Sequence, residues 1–309
     1  MKKKRFSRRI FLENIQLGVM TLPAIAIMLI FAYVPMFGIV LAFKNYKVPK
    51  GILGSAWVDP WYKNFDFLLT SQDAYRITRN TLGLNILFIV VCTITSVVFA
   101  LIMFEVKKAY QVKIYQTVSI LPRFLSWVAV SYIVYGLLDT EKGIINRIIE
   151  AFGGEGIAWY VSPGYWPVIL LLVKIWHGVG MSSIMYYASL MGIDTELYEA
   201  ADMDGANKLQ KTWHISIPHL VPLVIILVIL DIGSIFRADF GLFYNVTRNV
   251  GNLYPTTDVI DTYIFRALME NGNIALSSAA SVLQSVVCSI MLVTTNAIVK
   301  KISPSNALF

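Results

Sequence analysis

Uncharged hydrophobic runs recur along the chain at lengths suited to crossing a membrane. Residues 17–43, 81–104 and 274–299 contain no Asp, Glu, Lys or Arg. A helix needs about 20 apolar residues to cross ~30 Å of hydrocarbon, so each run predicts one transmembrane helix. A helical membrane protein is therefore the first interpretation of the pattern.

Three further runs are equally apolar but are interrupted by charged side chains. They are residues 115–138 with Arg123, residues 165–191 with Lys174, and residues 220–243 with Asp231, Arg237 and Asp239. Counted with the uncharged runs, they predict an all-α, polytopic membrane protein with six transmembrane helices.

The N-terminal tail, residues 1–16, sets the orientation because it carries a dense group of basic residues. Cytoplasmic segments are enriched in Lys and Arg, so the tail is predicted to be cytoplasmic. The apolar run that follows is too long for a signal peptide and lacks a small-x-small cleavage pattern. We therefore expect an uncleaved first span, 17–43, and both termini on the cytoplasmic side of a bacterial cell membrane.

The segments predicted to lie outside the cell are more than turns. Residues 44–80, of which 44–73 form an extracellular segment, and residues 244–273 are each long enough to fold against a partner. Residues 143–152 place four isoleucines on one helical face. This predicts a short helix at the membrane interface, with an ordinary loop helix as the equal alternative. The four isoleucines are Ile144, Ile145, Ile148 and Ile149.

Composition supports the membrane interpretation. Of the 309 residues, 57% are hydrophobic and only 15% are charged. A soluble domain carries roughly 25% charged residues, so soluble and disordered classes are excluded. The net charge of +7 suggests nucleic acid at first sight. In so apolar a chain it instead indicates loop charges at a membrane face, with lipid and not nucleic acid as the partner.

The residues that usually carry catalysis or metal binding form no recognisable pattern here. Cys92 and Cys288 lie inside predicted spans, where a lone cysteine acts as a small hydrophobic residue. The three histidines match no zinc motif. Residues 205–212 resemble a phosphate-binding loop, but Gln210 stands where that loop requires glycine. We expect no catalytic site, no metal and no nucleotide on this chain.

The segment between the fourth and fifth predicted spans has the pattern of a helix, a bend and a second helix. Residues 195–203 are good helix formers, and Asp194 is suited to cap them. Gly205 permits a break because glycine adopts a positive φ at little cost. A second short helix over 207–215 is expected to end as Pro218 opens the next span. Such a rigid element at the membrane surface is suited to receive force from a cytoplasmic partner.

This coupling segment, residues 194–217, also carries a recognisable motif. It reads Glu-Ala-Ala, three residues, Gly, nine residues, Ile-x-Ile-Pro, and it resembles the signature of permease subunits of binding-protein-dependent ABC importers. Ile217 replaces the usual leucine. Asp204, Ala206 and Trp213 resemble the carbohydrate-uptake branch. The motif positions are Glu199, Ala200, Ala201, Gly205, Ile215 and Pro218.

The resemblance extends beyond the motif. The permease core would cover residues 74–301, with the first span added in front. Residues 33–38 and 42–46 are similar to the lipoprotein-dependent subgroup that handles oligosaccharides and polysaccharides. The resemblance implies a type I importer fold with coupling helices between helices 4 and 5.

The resemblance also implies a division of labour between subunits. An extracellular binding lipoprotein would deliver a sugar, in particular an oligosaccharide, to a pair of permeases. In this branch the two permeases are usually different chains. Two cytoplasmic ATPase subunits would bind ATP and magnesium and dock on the coupling segment. This chain would be a transport subunit without a cofactor and not an enzyme. It would move the sugar by alternating access.

The charges within the predicted spans indicate the substrate path. A charge at the bilayer centre costs about 2.5–3.5 kcal/mol on insertion scales, so these side chains must face the bundle interior, water or an interface. Neighbours three or four residues away share a helical face and enlarge each polar cluster. We predict that these clusters contact sugar. They comprise Arg123, Trp127, Lys174, Trp176, His177, Asp231 and Ser234.

An equally weighted alternative is internal pairing, in which Asp231 binds Arg123 or Lys174 and only holds helices together. Arg237 and Asp239 are expected nearer the outer end, at an interface. Two basic residues in the path hint at an acidic oligosaccharide.

Two other functional classes remain at this point. A secondary transporter acting without an ATPase would explain the spans, but it would leave the coupling motif unexplained, and no internal repeat is evident. An intramembrane enzyme would need a catalytic constellation, and the sequence shows none.

Overall fold

The computed structural model describes residues 8–302 and residue 304; the tail's basic residues 2–5 lie outside the described part. Helix α1 is Arg8–Met28, so the second half of the predicted tail is already helical. The helix runs on through a π-helical turn, Leu29–Tyr33, to a 3-10 segment that ends at Phe43. Pro35, which cannot donate a backbone hydrogen bond, follows the wide turn directly.

Helix α2 (Lys63–Thr70) and helix α3 (Gln72–Phe104) meet at Ser71. The Ser71 hydroxyl accepts the Ala74 backbone N–H at 3.0 Å, which caps α3. With 33 residues, α3 is about 50 Å long at 1.5 Å per residue and exceeds the bilayer thickness. Its first turns therefore project beyond the apolar run 81–104.

The third predicted span is not one continuous helix. Helix α4 (Ala109–Ile120) passes through a 3-10 turn, Leu121–Phe124, and helix α5 (Trp127–Leu138) leaves at 98° to it. Pro122 opens the 3-10 turn, and Ser126 caps α5 by accepting the Ala129 N–H at 3.2 Å. The sequence pattern showed the apolar length of 115–138 but not this break, which these two local signals produce.

The outer helix expected in residues 143–152 is present as α6, Ile144–Ala151. Ile149 packs against the main core, whereas Ile144 and Ile148 are exposed. Asn146 is buried, and its carbonyl oxygen accepts the Trp159 indole N–H at 2.9 Å. The placement of α6 at a membrane interface stays a prediction.

Helix α7 (Trp166–Leu190) leads into the coupling segment, which contains α8 (Thr195–Met203) and α9 (Lys208–Lys211). The second short helix was expected to end near residue 215, but it does not end. A π-helical turn, Thr212–Ser216, joins α9 directly to α10, Ile217–Gly233. The wide turn accommodates the missing N–H of Pro218 without ending the helix.

The fifth predicted span, 220–243, is also interrupted. Helix α10 ends at Gly233, residues 234–239 are unwound, and a short helical stretch follows over 240–246. The chain then forms α11 (Ile260–Met269) and α12 (Ile274–Ile302).

Five helical stretches of the described chain are long and apolar enough to cross a membrane, and the bent pair α4–α5 would make a sixth. The count of six therefore stays a prediction, while the all-helical class is confirmed. Within the described residues the chain is helical apart from loops and one isolated β-bridge, Lys44 to Trp57. The main core gathers side chains of α3, α5, α7 and the stretch 240–246 around the fully buried Trp166 and Leu242.

The two long segments predicted to lie outside the cell, which include residues 44–73 and 244–273, pack against each other and against α3 of the same chain. Phe67 stacks on Tyr263 with ring centroids 5.2 Å apart. The buried Asp258 carboxylate binds both Arg76 of α3, at 3.1 Å, and Arg266 of α11, at 2.5 Å. The contacts of Phe67 with Tyr263 and of Arg76 with Asp258 join residues more than 180 positions apart, and they fix the segment around Asp258 over the start of α3.

Candidate coupling segment and substrate cavity

The bend of the coupling segment is set by hydrogen bonds at the end of α8. The Ala206 N–H donates to the Ala201 carbonyl at 2.9 Å, and the Gly205 N–H donates to the Asp202 carbonyl at 3.1 Å. This pair of bonds is the Schellman helix terminus, which needs a left-handed residue, and Gly205 has φ +75°. The spacing between Ala201 and Gly205 in the motif is thus the spacing of a helix end and its terminating glycine.

Both helices of the coupling segment begin at a capping residue: α8 at the predicted Asp194, and α9 at Asn207. Asp194 accepts the Glu196 N–H at 3.0 Å at the start of α8. Asn207 and Gln210 form a reciprocal capping box at the start of α9. Lys211 binds Asp202 at 2.7 Å across the bend. The bend is therefore a defined shape and not a flexible loop.

One side of the coupling segment is tied to the membrane helices. The Tyr198 hydroxyl lies 2.8 Å from the Ser216 hydroxyl, and its ring packs on Phe104 at the end of α3. Lys208 binds Glu105 at 3.2 Å, and Ile215 packs in the same apolar cluster. A displacement of this segment would therefore be passed to α3 and α10.

The other side of the segment is exposed and partly apolar. Trp213 is 61% exposed and Met203 is 89% exposed. The helices around them are too short to cross a membrane. Large apolar side chains on a surface mark contact sites. Of the predicted coupling residues, Glu199, Ala200, Asp204, Gly205 and Pro218 are also exposed, whereas Ala201, Ala206 and Ile215 are half-buried.

A cavity of about 530 Å³ lies between α3, α7, α10 and the unwound residues 234–239. Lys174 of α7 lines it, and so do Asp231 and Ser234 of the α10 end. These are three of the seven predicted substrate-path residues. They come together because the three helices carry their polar positions toward a shared interior.

The internal pairing in the cavity differs from the alternative derived from the sequence. Lys174 binds Asp239, not Asp231, with its Nζ 2.8 Å from the carboxylate. Both side chains keep access to the cavity, at 30% and 25% exposure. Within the described chain, Asp231 makes no hydrogen bond or ion-pair contact with its carboxylate. Arg237 and Asp239, expected nearer the outer end, also line the cavity.

Two predicted residues form a packed layer beside the cavity and do not line it. The rings of Trp127 and His177 stack with centroids 4.0 Å apart, and His177 Nε2 lies 3.3 Å from the Leu125 carbonyl. Gly241 lies against the Trp127 indole so closely that a Cβ would collide with it. These contacts hold the start of α5, and the break that precedes it, against α7.

Arg123 and Trp176 do not join the cavity either. Both are exposed on the surface of the single chain, and Trp176 is turned away from Lys174 although the two are near neighbours in sequence. Positions two residues apart on a helix point about 200° apart, which explains the separation.

Sequence reasoning missed the contribution of α3 to the cavity, because residues 81–104 were described only as uncharged. Asn85, Cys92 and Ser96 all line it. Their spacing of seven and four residues places them on one helical face, a signal that was available. Sparse polar positions within an apolar run at this period indicate an interior-facing stripe.

The unwound residues 234–239 obtain hydrogen bonds from three side chains on neighbouring helices. Asn85 of α3 donates to the carbonyls of Ile235 and Arg237, at 2.7 and 3.1 Å. Gln284 of α12 donates to the Phe236 carbonyl at 2.6 Å.

The third side chain is Asp261 of α11, which accepts the Ala238 N–H at 2.7 Å and the Gln284 amide at 3.0 Å. Burial raises the pKa of the Asp261 carboxyl above its usual value, and these two hydrogen bonds oppose that rise.

Metal binding has no candidate in the part of the chain that the structure describes: no group of three or more His, Cys, Asp or Glu side chains could hold an ion there.

Comparison with known proteins decides the family. Residues 81–304 match the model of the binding-protein-dependent transport system inner membrane component. The chain belongs to this family. It is therefore a multi-pass component of the cytoplasmic membrane and a transport subunit rather than an enzyme.

Relatives match over nearly the whole chain. The polygalacturonan/rhamnogalacturonan transport system permease protein YteP of Bacillus subtilis is 35% identical over 302 residues, covering 97% of this chain and 93% of YteP. LplB of the same organism is 32% identical over 286 residues, covering 92% of this chain and 88% of LplB. The similarity thus includes the first span and the outer segments.

Solved structures agree with the fold. A subunit of a bacterial ABC transporter that imports the acidic polysaccharide alginate superposes with a TM-score of 0.87 at 29% identity, covering 96% of this chain and 98% of that one. The same transporter in complex with an alginate pentasaccharide-bound periplasmic protein gives 0.86 at 28% identity, with 97% and 99% covered. The fold is that of an ABC importer permease, and the family supports the importer and not a self-sufficient secondary transporter.

Proposed function

We propose that this chain is the permease subunit of an ATP-driven importer for sugars, and that its substrates are acidic oligosaccharides. A binding lipoprotein outside the cell delivers the sugar, and the permease passes it inward by alternating access. The relatives support the substrate class, because one carries polygalacturonan and rhamnogalacturonan in its name and the similar solved transporter imports alginate.

The cavity is suited to such a substrate. Arg237 lines it, and among the residues that the structure describes its guanidinium makes a single hydrogen bond, a long one of 3.5 Å to Ser285. An arginine fork binds carboxylates in a bidentate manner, so Arg237 is the residue we assign to a uronate carboxylate. Asp231, Ser234 and Asn85 offer acceptor oxygens to hydroxyl groups. Arg123, Trp127, Trp176 and His177 stay predictions as substrate contacts.

The observation that carries the transport function is the shape of the coupling segment. It is a rigid helix–bend–helix, exposed on one side and tied on the other to α3 and α10, both of which line the cavity. We propose that its exposed side docks on one of two cytoplasmic ATPase subunits. Those subunits bind ATP and magnesium, and their closure moves the cavity-lining helices.

The remaining parts of the assembly follow from this arrangement. A second permease, encoded as a different chain, completes the path across the membrane. Six spans would place both termini on the same side of the membrane as the segment between the fourth and fifth spans, so a coupling segment that docks on a cytoplasmic ATPase implies cytoplasmic termini.

Uptake into vesicles that contain the complete importer tests the function. We expect ATP-dependent uptake of oligogalacturonates in the presence of the loaded binding protein, and co-purification of the second permease and the ATPase in detergent. Uptake by this chain alone, without ATP, would overturn the proposal in favour of a secondary transporter.

The acidic specificity has its own test. Arg237→Ala and Lys174→Ala are each expected to reduce uptake of uronate-containing oligosaccharides more than uptake of neutral ones, with Arg123→Ala compared in parallel. Equal loss for neutral and acidic substrates in all three variants would rule out charge recognition in the path.

A further inference from the structure

The wall of the cavity that carries Arg237 and Asp239 is a broken helix, and the structure shows what holds it open. Residues 234–239 leave the helical path although they follow 17 residues of α10. In a membrane interior, free backbone groups are costly, so an unwound segment persists only where other groups satisfy it. Here those groups come from three different helices.

The three side chains form hydrogen bonds with backbone groups of consecutive residues in the segment. Asn85 holds the carbonyls of Ile235 and Arg237, and Gln284 holds the carbonyl between them. Asp261 holds the next N–H, that of Ala238, and also accepts from Gln284. Four consecutive residues of the break, 235–238, are therefore each fixed through a backbone group.

We propose that Asn85, Asp261 and Gln284 are positioning residues that keep residues 234–239 unwound, and so place Arg237 and Asp239 at the cavity. We call these three side chains the clamp. Two of its members, Asp261 and Gln284, do not line the cavity and act only through the segment they hold.

The consequence of losing the clamp follows from helix geometry. Without the clamp, the carbonyls at 235–237 lose their donors, so the segment is no longer held in one conformation and exchanges between open forms and a further turn of α10. Each residue added to a helix rotates the chain by about 100°, so Asp239 would leave Lys174, and Arg237 would leave the cavity. The clamp would thus set which charges meet the substrate.

Hydrogen exchange on the assembled importer in nanodiscs tests the clamp directly. In Gln284→Leu we expect amide exchange in the peptide covering 234–240 to rise about tenfold, because the segment opens more often and the Asp261 carboxylate that accepts the Ala238 N–H loses its bond from Gln284. Ser289→Ala is the matched control on the same helix, because its hydroxyl donates to the Ser285 carbonyl of its own helix and, within the described chain, to no other element. That control should stay within twofold of the wild type.

A second readout separates positioning from mere structural support. The concentration of loaded binding protein that half-saturates ATP hydrolysis should stay within twofold in Gln284→Leu, because docking is unaffected. The amount of sugar moved per ATP should fall about tenfold. Asp261→Asn, which retains an oxygen for the Ala238 N–H, should restore most of the protection that Asp261→Leu loses.

Unchanged exchange at 234–240 in Gln284→Leu would overturn the proposal, and so would a rise spread evenly over all helices. If Gln284→Leu does not assemble, Asn85→Ser provides the same comparison, with Thr95→Val as its control on α3. The proposal rests on the proposed transport function only for the second readout. Failure of the substrate assignment would abolish wild-type uptake and leave the exchange result intact.

Discussion

Gly205 offers the sharpest test of the coupling segment, because the effect of substituting it can be derived from its backbone alone. Its φ is +75°, and a Cβ built there has nothing within 4 Å. Gly205→Ala therefore creates no collision. The change acts only through the left-handed conformation, which costs an L-residue roughly 1–2 kcal/mol.

A cost of this size changes a conformational equilibrium by about 5- to 30-fold. The two hydrogen bonds of the bend, from Gly205 and Ala206 to the end of α8, would be weakened together. Because the docking surface includes residues on both sides of the bend, we expect ATP hydrolysis stimulated by loaded binding protein to fall roughly fivefold or more.

Gly272 is the matched control for this experiment. It has φ +61° and likewise nothing within 4 Å, but it lies between α11 and α12, far in sequence from the coupling segment. Gly272→Ala carries the same local cost and should leave stimulated hydrolysis within twofold. Gly205→Asn should be milder than Gly205→Ala, since asparagine tolerates the left-handed region. Equal activity of the two alanine variants would refute the reasoning.

Three further predictions concern the rest of the molecule. Asp258→Asn leaves two arginines around a buried site and should destabilise the protein by about 3–5 kcal/mol in thermal unfolding, whereas the half-exposed Asp73→Asn should change little. Burial raises the pKa of Tyr160 to about 12 from 10.0, so stability should fall between these pH values, and Tyr160→Phe should remove that part of the decline. Exchanging the partners, Lys174→Asp with Asp239→Lys, should restore the stability lost in either single variant without restoring acidic uptake, which uptake and unfolding assays together would show.

The sign of the Tyr160 prediction follows from proton binding. With a raised pKa in the folded state, the native protein keeps the phenol proton at a pH where the unfolded chain releases it. Stability from this residue is complete below pH 10 and is lost as the pH rises toward 12. A decline of equal steepness in Tyr160→Phe would contradict the assignment.

The coupling segment could be predicted almost entirely from the sequence, because its structure is local. A capping Asp194, a helix-forming run and Gly205 at the right distance specify a helix and its end without help from distant residues. The one departure, the π-helical turn before Pro218, adjusts the backbone around a proline and continues into a membrane helix.

The substrate cavity could be predicted only in part. Lys174, Asp231 and Ser234 were found because a charge in an apolar run must face an interior. Which cavity each side chain faces, and which residue it pairs with, depends on helices that are far apart in the chain. The pairing of Lys174 with Asp239 and the exposure of Trp176 are both decided by rotation and packing that no single run reveals.

The sequence by itself determined the helical class, the apolar lengths and the coupling motif, since each depends on residues within a few turns of one another. Tertiary structure decided the break in the fifth predicted span and which side chains that break positions. The unwound residues 234–239 read as part of an apolar span, and only side chains from α3, α11 and α12 supply the hydrogen bonds that keep them open. Such bonds join residues about 25 to 150 positions apart, so their existence depends on the assembled bundle.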